Sequence, residues 1–159
     1  LGHRRITYLA SPLDAGGPDR VQAFLRAAES LGMRTSVGVE EGGITEADGI
    51  AAAERLISSG CMPTAVVAFN DRCALGVLEL LRSRGVAVPD DISVVGFDDS
   101  ALMAFSSPPL TTIRQPVRAM SEAAVSLLLS IIDEAPVSQA SLKFHAELIV
   151  RDSTASHSP

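Results

Sequence analysis

The sequence predicts an α/β fold, a doubly wound parallel sheet with helices on both faces, from three observations. First, four apolar runs of strand length alternate with three amphipathic segments of helix length between residues 5 and 97. Second, the connections between them are short and rich in glycine, proline, aspartate and asparagine. Third, the last two runs, residues 64–69 and 92–97, are apolar almost without interruption, which is typical of strands covered on both faces.

The first two strand–helix units follow directly on one another. Residues 5–10 favour a short strand, and a glycine-rich loop then leads into a helix that ends at Gly32. Residues 33–39 favour the second strand, and Thr45 is a good N-cap for the second helix because Asp48 follows three residues later. The apolar residues spaced for the buried faces of these helices are Val21, Phe24, Leu25, Ala28 and Leu31, then Ile50, Ala53, Leu56 and Ile57.

The strand–helix alternation breaks after Ser100. The prolines of residues 106–109 mark a boundary, and residues 110–113 form an isolated stretch that favours a strand. Pro116 then stands at the first turn of a further helix. Apolar and polar residues alternate over residues 141–151, which predicts a final strand.

Composition narrows the class of protein. With 159 residues, 47% of them apolar and 20% charged, the chain suits one domain with a buried core and is not globally disordered. A net charge of −6 argues against a chain that itself binds the phosphate backbone of nucleic acids. Two cysteines and three histidines without ligand spacing predict two reduced thiols, no metal site and no cofactor. The longest apolar run, residues 123–132, is too short to span a membrane, so we expect a cytoplasmic protein without membrane contact.

Polar side chains follow three of the four predicted strands. Ligands of open parallel sheets bind in the crevice beyond the carboxyl ends of the strands. Arg20 lies beyond the first strand, Asn70 beyond the third and Asp98 beyond the fourth. A guanidinium, a carboxamide and a carboxylate on one edge can grip vicinal hydroxyls or the ring atoms of a small polar metabolite.

Each of these positions also has a simpler interpretation. Asp71, next to Asn70, suits the N-cap of the following helix. Asp99 could be solvated, and Arg20 could be a surface charge of its helix. Alternatively, Asp71, Asp98 and Asp99 could form the metal-dependent hydrolytic or phospho-acceptor cluster of an enzyme. The first strand ends in Ser-Pro without an acidic pair, and the chain has no phosphate-binding or nucleophile-elbow motif, so we expect no enzyme.

An ordered set of motifs covers nearly the whole chain. They are GHRRI (2–6), TAVVAFND with ALG (64–71 and 74–76), GVAVPDDISVVGFDD (85–99), LTTIRQP (110–116) and LIVRDST (148–154). This set resembles the effector domain of the LacI/GalR transcription regulators. The resemblance implies a fold like type I periplasmic binding proteins, with two subdomains, of which one is essentially complete here.

The resemblance also implies a division of the chain. Residues 1–107 correspond to the main part of the C-terminal effector-binding subdomain, and residues 138–154 to its returning strand. Residues 108–137 correspond to a strand and helix of the N-terminal subdomain, and we expect residues 155–159 to be a disordered tail. The N-terminal helix-turn-helix that reads operator DNA in this family is expected to lie outside this chain.

Four positions match the effector-contacting positions of the family. Arg20, Asn70 and Asp98 match residues that hydrogen-bond the effector, and Ile44 matches a place where an aromatic ring often stacks on it. Ile44 is not aromatic, and Gly16 stands where a polar side chain can contribute, so the family's specificity does not transfer. The residues that match the family's dimer surface, or else pack in the core, are Leu75, Leu78, Leu102, Met103 and Phe105.

Three functions follow as hypotheses. The first is the ligand-sensing domain of a homodimeric DNA-binding regulator, in which a sugar or another small polar metabolite controls operator binding. The second is a solute-binding protein of a transport system with the same fold. The third is the enzyme described above.

Overall fold

The structure, a computed structural model, describes residues 1–11, 17–135 and 141–157. Its strands are β1 (Ile6–Ala10), β2 (Val37–Glu41), β3 (Ala65–Ala68), β4 (Ser93–Val95), β5 (Thr112–Arg114) and β6 (Glu147–Ile149). Its helices are α1 (Gly17–Ser30), α2 (Glu46–Ser58), α3 (Asp71–Ser83) and α4 (Val117–Ile132).

The main sheet has the strand order β2-β1-β3-β4, and all neighbouring strands are parallel. The helix α1 connects β1 to β2 at one side of the sheet, whereas α2 and α3 connect β2 to β3 and β3 to β4 in the opposite direction across it. Right-handed crossovers therefore place α1 on one face and α2 and α3 on the other. Tyr8 packs on Phe24 of α1 with 5.4 Å between ring centroids, while Leu9, Val66 and Val94 are fully buried in the main core. The predicted doubly wound α/β fold is confirmed.

Two glycines allow α2 and α3 to pack closely. A Cβ atom at Gly76 would lie 2.8 Å from the carbonyl carbon of Glu46 and 2.9 Å from the nitrogen of Ile50. A Cβ at Gly49 would lie 2.9 Å from the carbonyl carbon of Cys73. Side chains at either position would push the helices apart. The N-terminal turns of α2 and α3 therefore lie side by side at the carboxyl edge of the sheet.

The strand β5 belongs to the main body, contrary to the predicted boundary at residue 108. The backbone nitrogen of Gly96 donates to Thr111 at 2.9 Å, and that of Asp98 donates to Ile113 at 2.9 Å. Leu110 and Thr112 are fully buried. These bonds extend the main sheet beyond β4, so residues 110–112 complete its core. By contrast, α4 has no buried residue, and its membership of a second subdomain stays a prediction.

The C-terminal residues 155–157 are packed, where a disordered tail was expected. The backbone nitrogen of Ala155 donates to the Ser93 hydroxyl at 3.1 Å. The ring of His157 stacks on that of His3 with 5.3 Å between centroids, and its backbone nitrogen donates to the Leu1 carbonyl at 2.8 Å. This segment lies along the amino edge of the sheet; residues 158–159 lie outside the described residues.

Other local predictions were wrong by one turn or less. The stretch before β2 begins with a 3-10 turn at Arg34–Ser36, and Leu31 is 72% exposed because α1 ends before it. Ile50 is 40% exposed, and Ala52 instead takes a buried position of α2. The final strand is confined to β6 because β5, the strand beside it, offers only three partners. Of the glycine-rich loop predicted at residues 14–19, residues 14–16 lie outside the described residues, and residues 17–19 belong to α1.

Candidate functional site

Arg20 contacts two aromatic rings at the carboxyl edge. Its guanidinium carbon is 4.7 Å from the ring centroid of Phe69 and 4.1 Å from that of Phe97. Its Nη1 also donates to the carbonyl oxygen of Phe69 at 3.1 Å. Cation–π attraction to both rings holds the planar group in a half-buried position. Arg20 is therefore not a freely solvated surface charge.

Asn70 caps α3, a role that was predicted for Asp71. Its backbone is extended, as an N-cap requires, and its Oδ1 accepts from the backbone nitrogen of Cys73 at 2.8 Å. Its Nδ2 donates to the carbonyl oxygen of Ile44 at 3.0 Å. A carboxamide has two N–H groups and two acceptor lone pairs, so each end keeps one bond for a ligand.

The loop that carries Ile44 is fixed by the start of α2. The carboxylate of Asp48 accepts from the backbone nitrogens of Ile44 and Thr45 at 3.0 and 2.9 Å. The Thr45 hydroxyl in turn accepts from the Asp48 nitrogen at 3.2 Å, which completes the predicted capping box. Together with the Asn70 contact, these bonds place Ile44, half-buried, beside the N-terminus of α3.

Asp98 occupies a left-handed backbone conformation with φ of +114°. Its Oδ1 accepts from Nε2 of Gln115 at 2.7 Å. Loss of water around the carboxyl, together with the nearby charge of Asp71, raises the pKa of Asp98, while Gln115 and Arg20 act in the opposite direction. A carboxylate at this edge, close to a guanidinium, is suited to accept hydrogen bonds from hydroxyl groups.

Asp71 is almost fully buried and holds two other segments in place. Its Oδ1 accepts from the Thr112 hydroxyl at 2.6 Å, and its Oδ2 accepts from the backbone nitrogen of Ser100 at 2.7 Å. The carboxylate thus ties the start of α3 to β5 and to the turn after β4. The preceding asparagine, which is an equally good cap, was the sequence signal that Asp71 was free for another role.

Asp99 forms two ion pairs, although a solvated carboxylate was one expectation for it. Its side chain is 8% exposed and contacts Nε of Arg114 and Nη2 of Arg151, both at 2.6 Å. Burial raises the pKa of Asp99, but the hydrogen bonds from Arg151 and Arg114 outweigh it, so the pKa lies below its usual value.

The structure therefore brings Arg20, Asn70, Asp98 and Ile44 together at one edge of the sheet. Arg20 contacts the residue before Asn70 and the residue before Asp98, and Asn70 contacts Ile44. Sequence reasoning missed Phe69 and Phe97 as partners of Arg20 and Gln115 as the partner of Asp98. Their contribution to ligand binding stays a prediction.

The five residues of the predicted dimer surface divide into two groups. Leu102 and Phe105 are 71% and 84% exposed, and Leu75 is half-buried. Leu78 and Met103 are 5% and 2% exposed and lie in the main core. For these two the core alternative is right, because buried side chains cannot line an interface between folded copies.

Two other kinds of site are absent from the part of the chain that the structure describes. Within residues 1–11, 17–135 and 141–157, no group of three or more His, Cys, Asp or Glu side chains could hold a metal ion. None of the helices in those ranges is both long and apolar enough to cross a membrane.

A sequence-family model for periplasmic binding protein-like domains matches residues 1–154. The chain belongs to this family. Its similarity to curated proteins extends over the whole family domain. An HTH-type transcriptional regulator from the aml 5′ region of Streptomyces limosus is 46% identical over 100% of this chain and 46% of its own length. The HTH-type transcriptional regulator MalR of Streptomyces coelicolor is 43% identical over 98% of the chain and 46% of its own length.

Solved structures of transcription regulators are similar to this chain in fold and sequence. A LacI transcriptional regulator from a Rhodococcus species has a TM-score of 0.88 and 43% identity, over 96% of this chain and 56% of that one. The transcriptional regulator CelR in complex with cellobiose has a TM-score of 0.86 and 35% identity, over 96% of this chain and 47% of CelR. A lac repressor dimer bound to operator has a TM-score of 0.90 and 30% identity, over 98% of this chain and 54% of the repressor chain. The resemblance to LacI/GalR effector domains is confirmed.

These relatives are named as transcription regulators or repressors, and none of them is named as a transport protein. The chain spans about half the length of the curated relatives it matches.

Proposed function

We propose that this chain is the effector-binding domain of a LacI/GalR-type transcription regulator, and that its effector is a sugar or a related small polar compound. The observation that carries the proposal is the cluster of Arg20, Asn70 and Asp98 at the carboxyl edge. All three are held in place by contacts with the protein, and each keeps hydrogen-bonding capacity.

The chemistry of the cluster suits adjacent hydroxyl groups. The Asp98 carboxylate accepts hydrogen bonds from two hydroxyls, while the remaining N–H groups of Arg20 donate to hydroxyl oxygens. Contacts with Phe69 and Phe97 hold the planar guanidinium in one place, so little side-chain entropy is lost when a ligand binds. The cellobiose complex of CelR, a structural neighbour, supports a saccharide as the effector class.

The proposed regulator acts as a switch rather than as an enzyme. The effector shifts the equilibrium between two arrangements of the protein, and the two arrangements differ in their affinity for operator DNA. The operator complex of the lac repressor dimer supports this mode of action. The protein requires no cofactor in this proposal and works in the cytoplasm, where the operator DNA is.

Two exposed apolar surfaces fit the larger assembly. Leu102, Phe105 and the half-buried Leu75 are proposed to contact a second copy in a homodimer. The helix α4, which exposes eight large apolar side chains, is proposed to pack in a second subdomain that closes over the effector. A helix-turn-helix outside this chain is proposed to bind the operator.

A ligand screen on the protein expressed from the complete reading frame tests the proposal. Monosaccharides, disaccharides, sugar phosphates, polyols and nucleobases are added one at a time and the melting temperature Tm is recorded. A compound at about 100 times its Kd stabilises the folded state by about 2.7 kcal/mol, so we expect a clear rise of Tm for at least one saccharide.

The Asp98→Asn variant assigns the binding to this site. Loss of a charged hydrogen-bond acceptor costs about 1.5–3 kcal/mol, which weakens affinity by about 10- to 150-fold. The matched control is Asp90→Asn, because Asp90 is an exposed aspartate before β4, at the opposite edge of the sheet. Unchanged affinity in Asp98→Asn, or an equal loss in both variants, would show that the effector does not bind through Asp98.

A further inference from the structure

The turn after β4 contains two consecutive residues in left-handed backbone conformations. Asp98 has φ of +114° and Asp99 has φ of +56°, and neither is a glycine. Such conformations are uncommon for residues other than glycine, and although aspartate tolerates them better than most, contacts with the surroundings stabilise them. The same turn carries Asp98, the proposed acceptor of the effector, so whatever holds the turn also sets the direction of that carboxylate.

Three consecutive residues of this turn are each tied to another segment. The backbone nitrogen of Asp98 donates to Ile113 at 2.9 Å, and that of Ser100 donates to Asp71 at 2.7 Å. Between them, the carboxylate of Asp99 bridges Arg114 and Arg151. Both of these charge-assisted hydrogen bonds are 2.6 Å long, and bonds of this kind are among the strongest that side chains form.

The two arginines reach Asp99 from different parts of the chain. Arg114 ends β5, and Arg151 follows β6, 52 residues from Asp99 in sequence. The Arg151 side chain is 17% exposed, and its Nη1 also donates to the carbonyl oxygen of Leu110 at 2.7 Å. The Leu110 contact therefore holds the Arg151 guanidinium in place independently of Asp99. Because the Asp99 carboxylate is covered by both arginines and is 8% exposed, it is not placed to bind an effector directly.

We propose that Asp99 is a positioning residue for effector recognition. By fixing its own backbone through Arg151 and Arg114, it holds the adjacent residue in the conformation that orients the Asp98 carboxylate at the crevice. This inference rests on the proposed function of Asp98 as an effector acceptor, and it adds that the affinity of the site depends on a residue that the effector does not touch.

Crystal structures of variants of the protein from the complete reading frame test the geometric step. Asp99→Asn keeps the size of the side chain and removes the charge, and Arg151→Lys keeps the charge and removes the paired N–H groups. The control is Glu54→Gln, because Glu54 of α2 also accepts two hydrogen bonds from an arginine, Arg84 at the C-cap of α3, at 2.7 and 2.8 Å. We expect Asp98 to leave its left-handed conformation and lose the Gln115 contact in Asp99→Asn, and to keep both in Glu54→Gln.

The affinity for cellobiose, maltose and glucose, measured by calorimetry well below the lowest Tm, tests the functional step. We expect Kd for the sugar that the wild type binds to rise at least about tenfold in Asp99→Asn, because small displacements of a binding group are costly. We expect a smaller rise in Arg151→Lys and no change in Glu54→Gln. A Tm lowered without any change in Kd would show that Asp99 is structural only.

The outcomes separate this inference from the proposed function. A wild type that binds none of the three sugars counts against the proposed saccharide class, while the crystal structures still decide whether Asp99 orients Asp98. An Asp99→Asn structure in which Asp98 keeps its φ and its Gln115 contact overturns the positioning role. If both Asp99→Asn and Arg151→Lys fail to fold, the cluster serves stability rather than orientation, which also overturns it.

Discussion

The packing of α2 against α3 depends on Gly76, and Gly76→Ala tests it. The added methyl would lie 2.8 Å from the carbonyl carbon of Glu46 and 2.9 Å from the nitrogen of Ile50, and closer still to the Glu46 oxygen. All three are backbone atoms, so no side chain can turn away. The Glu46 oxygen sets the shift, and the helices must part by more than about 1 Å before the methyl reaches an ordinary contact distance of 3.4 Å from it.

Two opposing energies set the size of the effect. Alanine favours a helix interior over glycine by about 1 kcal/mol. Overpacking of a close contact costs about 1–3 kcal/mol, and more where backbone has to move. With three backbone atoms in the way, we expect a net loss of about 2 kcal/mol in the free energy of unfolding, and therefore a Tm lower by about 4–8 °C.

Thermal unfolding followed by circular dichroism measures this change. The control is Gly38→Ala, because a methyl there meets only the Thr7 hydroxyl, at an ordinary 3.6 Å. Because the same packing places Ile44 beside Asn70, we also expect Gly76→Ala to weaken effector binding. A Tm for Gly76→Ala equal to or above that of the wild type would refute the close approach of the two helices.

Three further predictions concern charge, the surface and a helix cap. Because the pKa of Asp99 is lowered, the stability it contributes is fully present above its ordinary pKa of 3.8 and is lost as pH falls towards its lower value in the folded protein. The difference in unfolding free energy between wild type and Asp99→Asn should therefore shrink in acid titrations below that pH. Phe105→Asp, with Leu102→Asp as a second variant, should shift the protein towards the monomer in light scattering, and an unchanged mass would exclude this surface as the dimer contact. Thr45→Ala removes the capping box and should lower the unfolding free energy by about 1 kcal/mol in urea titrations, whereas a stability unchanged from wild type would show that the cap is dispensable.

Local sequence signals account for most of the main sheet. The runs around β3 and β4 were apolar enough to predict strands covered on both faces, and Val66 and Val94 are fully buried. Thr45 and Asp48 predicted the start of α2 correctly, because a capping box involves only residues close in sequence. The alternation of strands and helices predicted that the strands are parallel and at which edge of the sheet the polar groups meet.

Contacts between distant segments could not be predicted in the same way. Nothing near Asp99 indicates that Arg151 reaches it from 52 residues away. The membership of β5 in the main body depends on hydrogen bonds to Gly96 and Asp98, which only the tertiary arrangement shows. The packing of His157 on His3 likewise joins opposite ends of the chain.

In the candidate site, the positions of the polar residues could be predicted from the sequence, but their contacts with other residues could not. The positions of Arg20, Asn70 and Asp98 follow from where strands end, so sequence predicted them together. The partners of these residues could not be predicted from the strand ends. Asn70 rather than Asp71 caps α3 because the Asp71 side chain is buried in contacts with other segments. Asp71 is buried because Thr112 and Ser100 supply hydrogen-bond donors to it, and both come from later segments.

A crystal structure of the protein from the complete reading frame with the saccharide that most raises its Tm tests the central claim most directly. The account predicts hydroxyl groups of the sugar within hydrogen-bond distance of the Asp98 carboxylate and the Arg20 guanidinium at the carboxyl edge. A sugar bound elsewhere would contradict it, for instance in the cavity of about 420 Å³ at the opposite edge, which is lined by Leu1, His3 and Met33 among others.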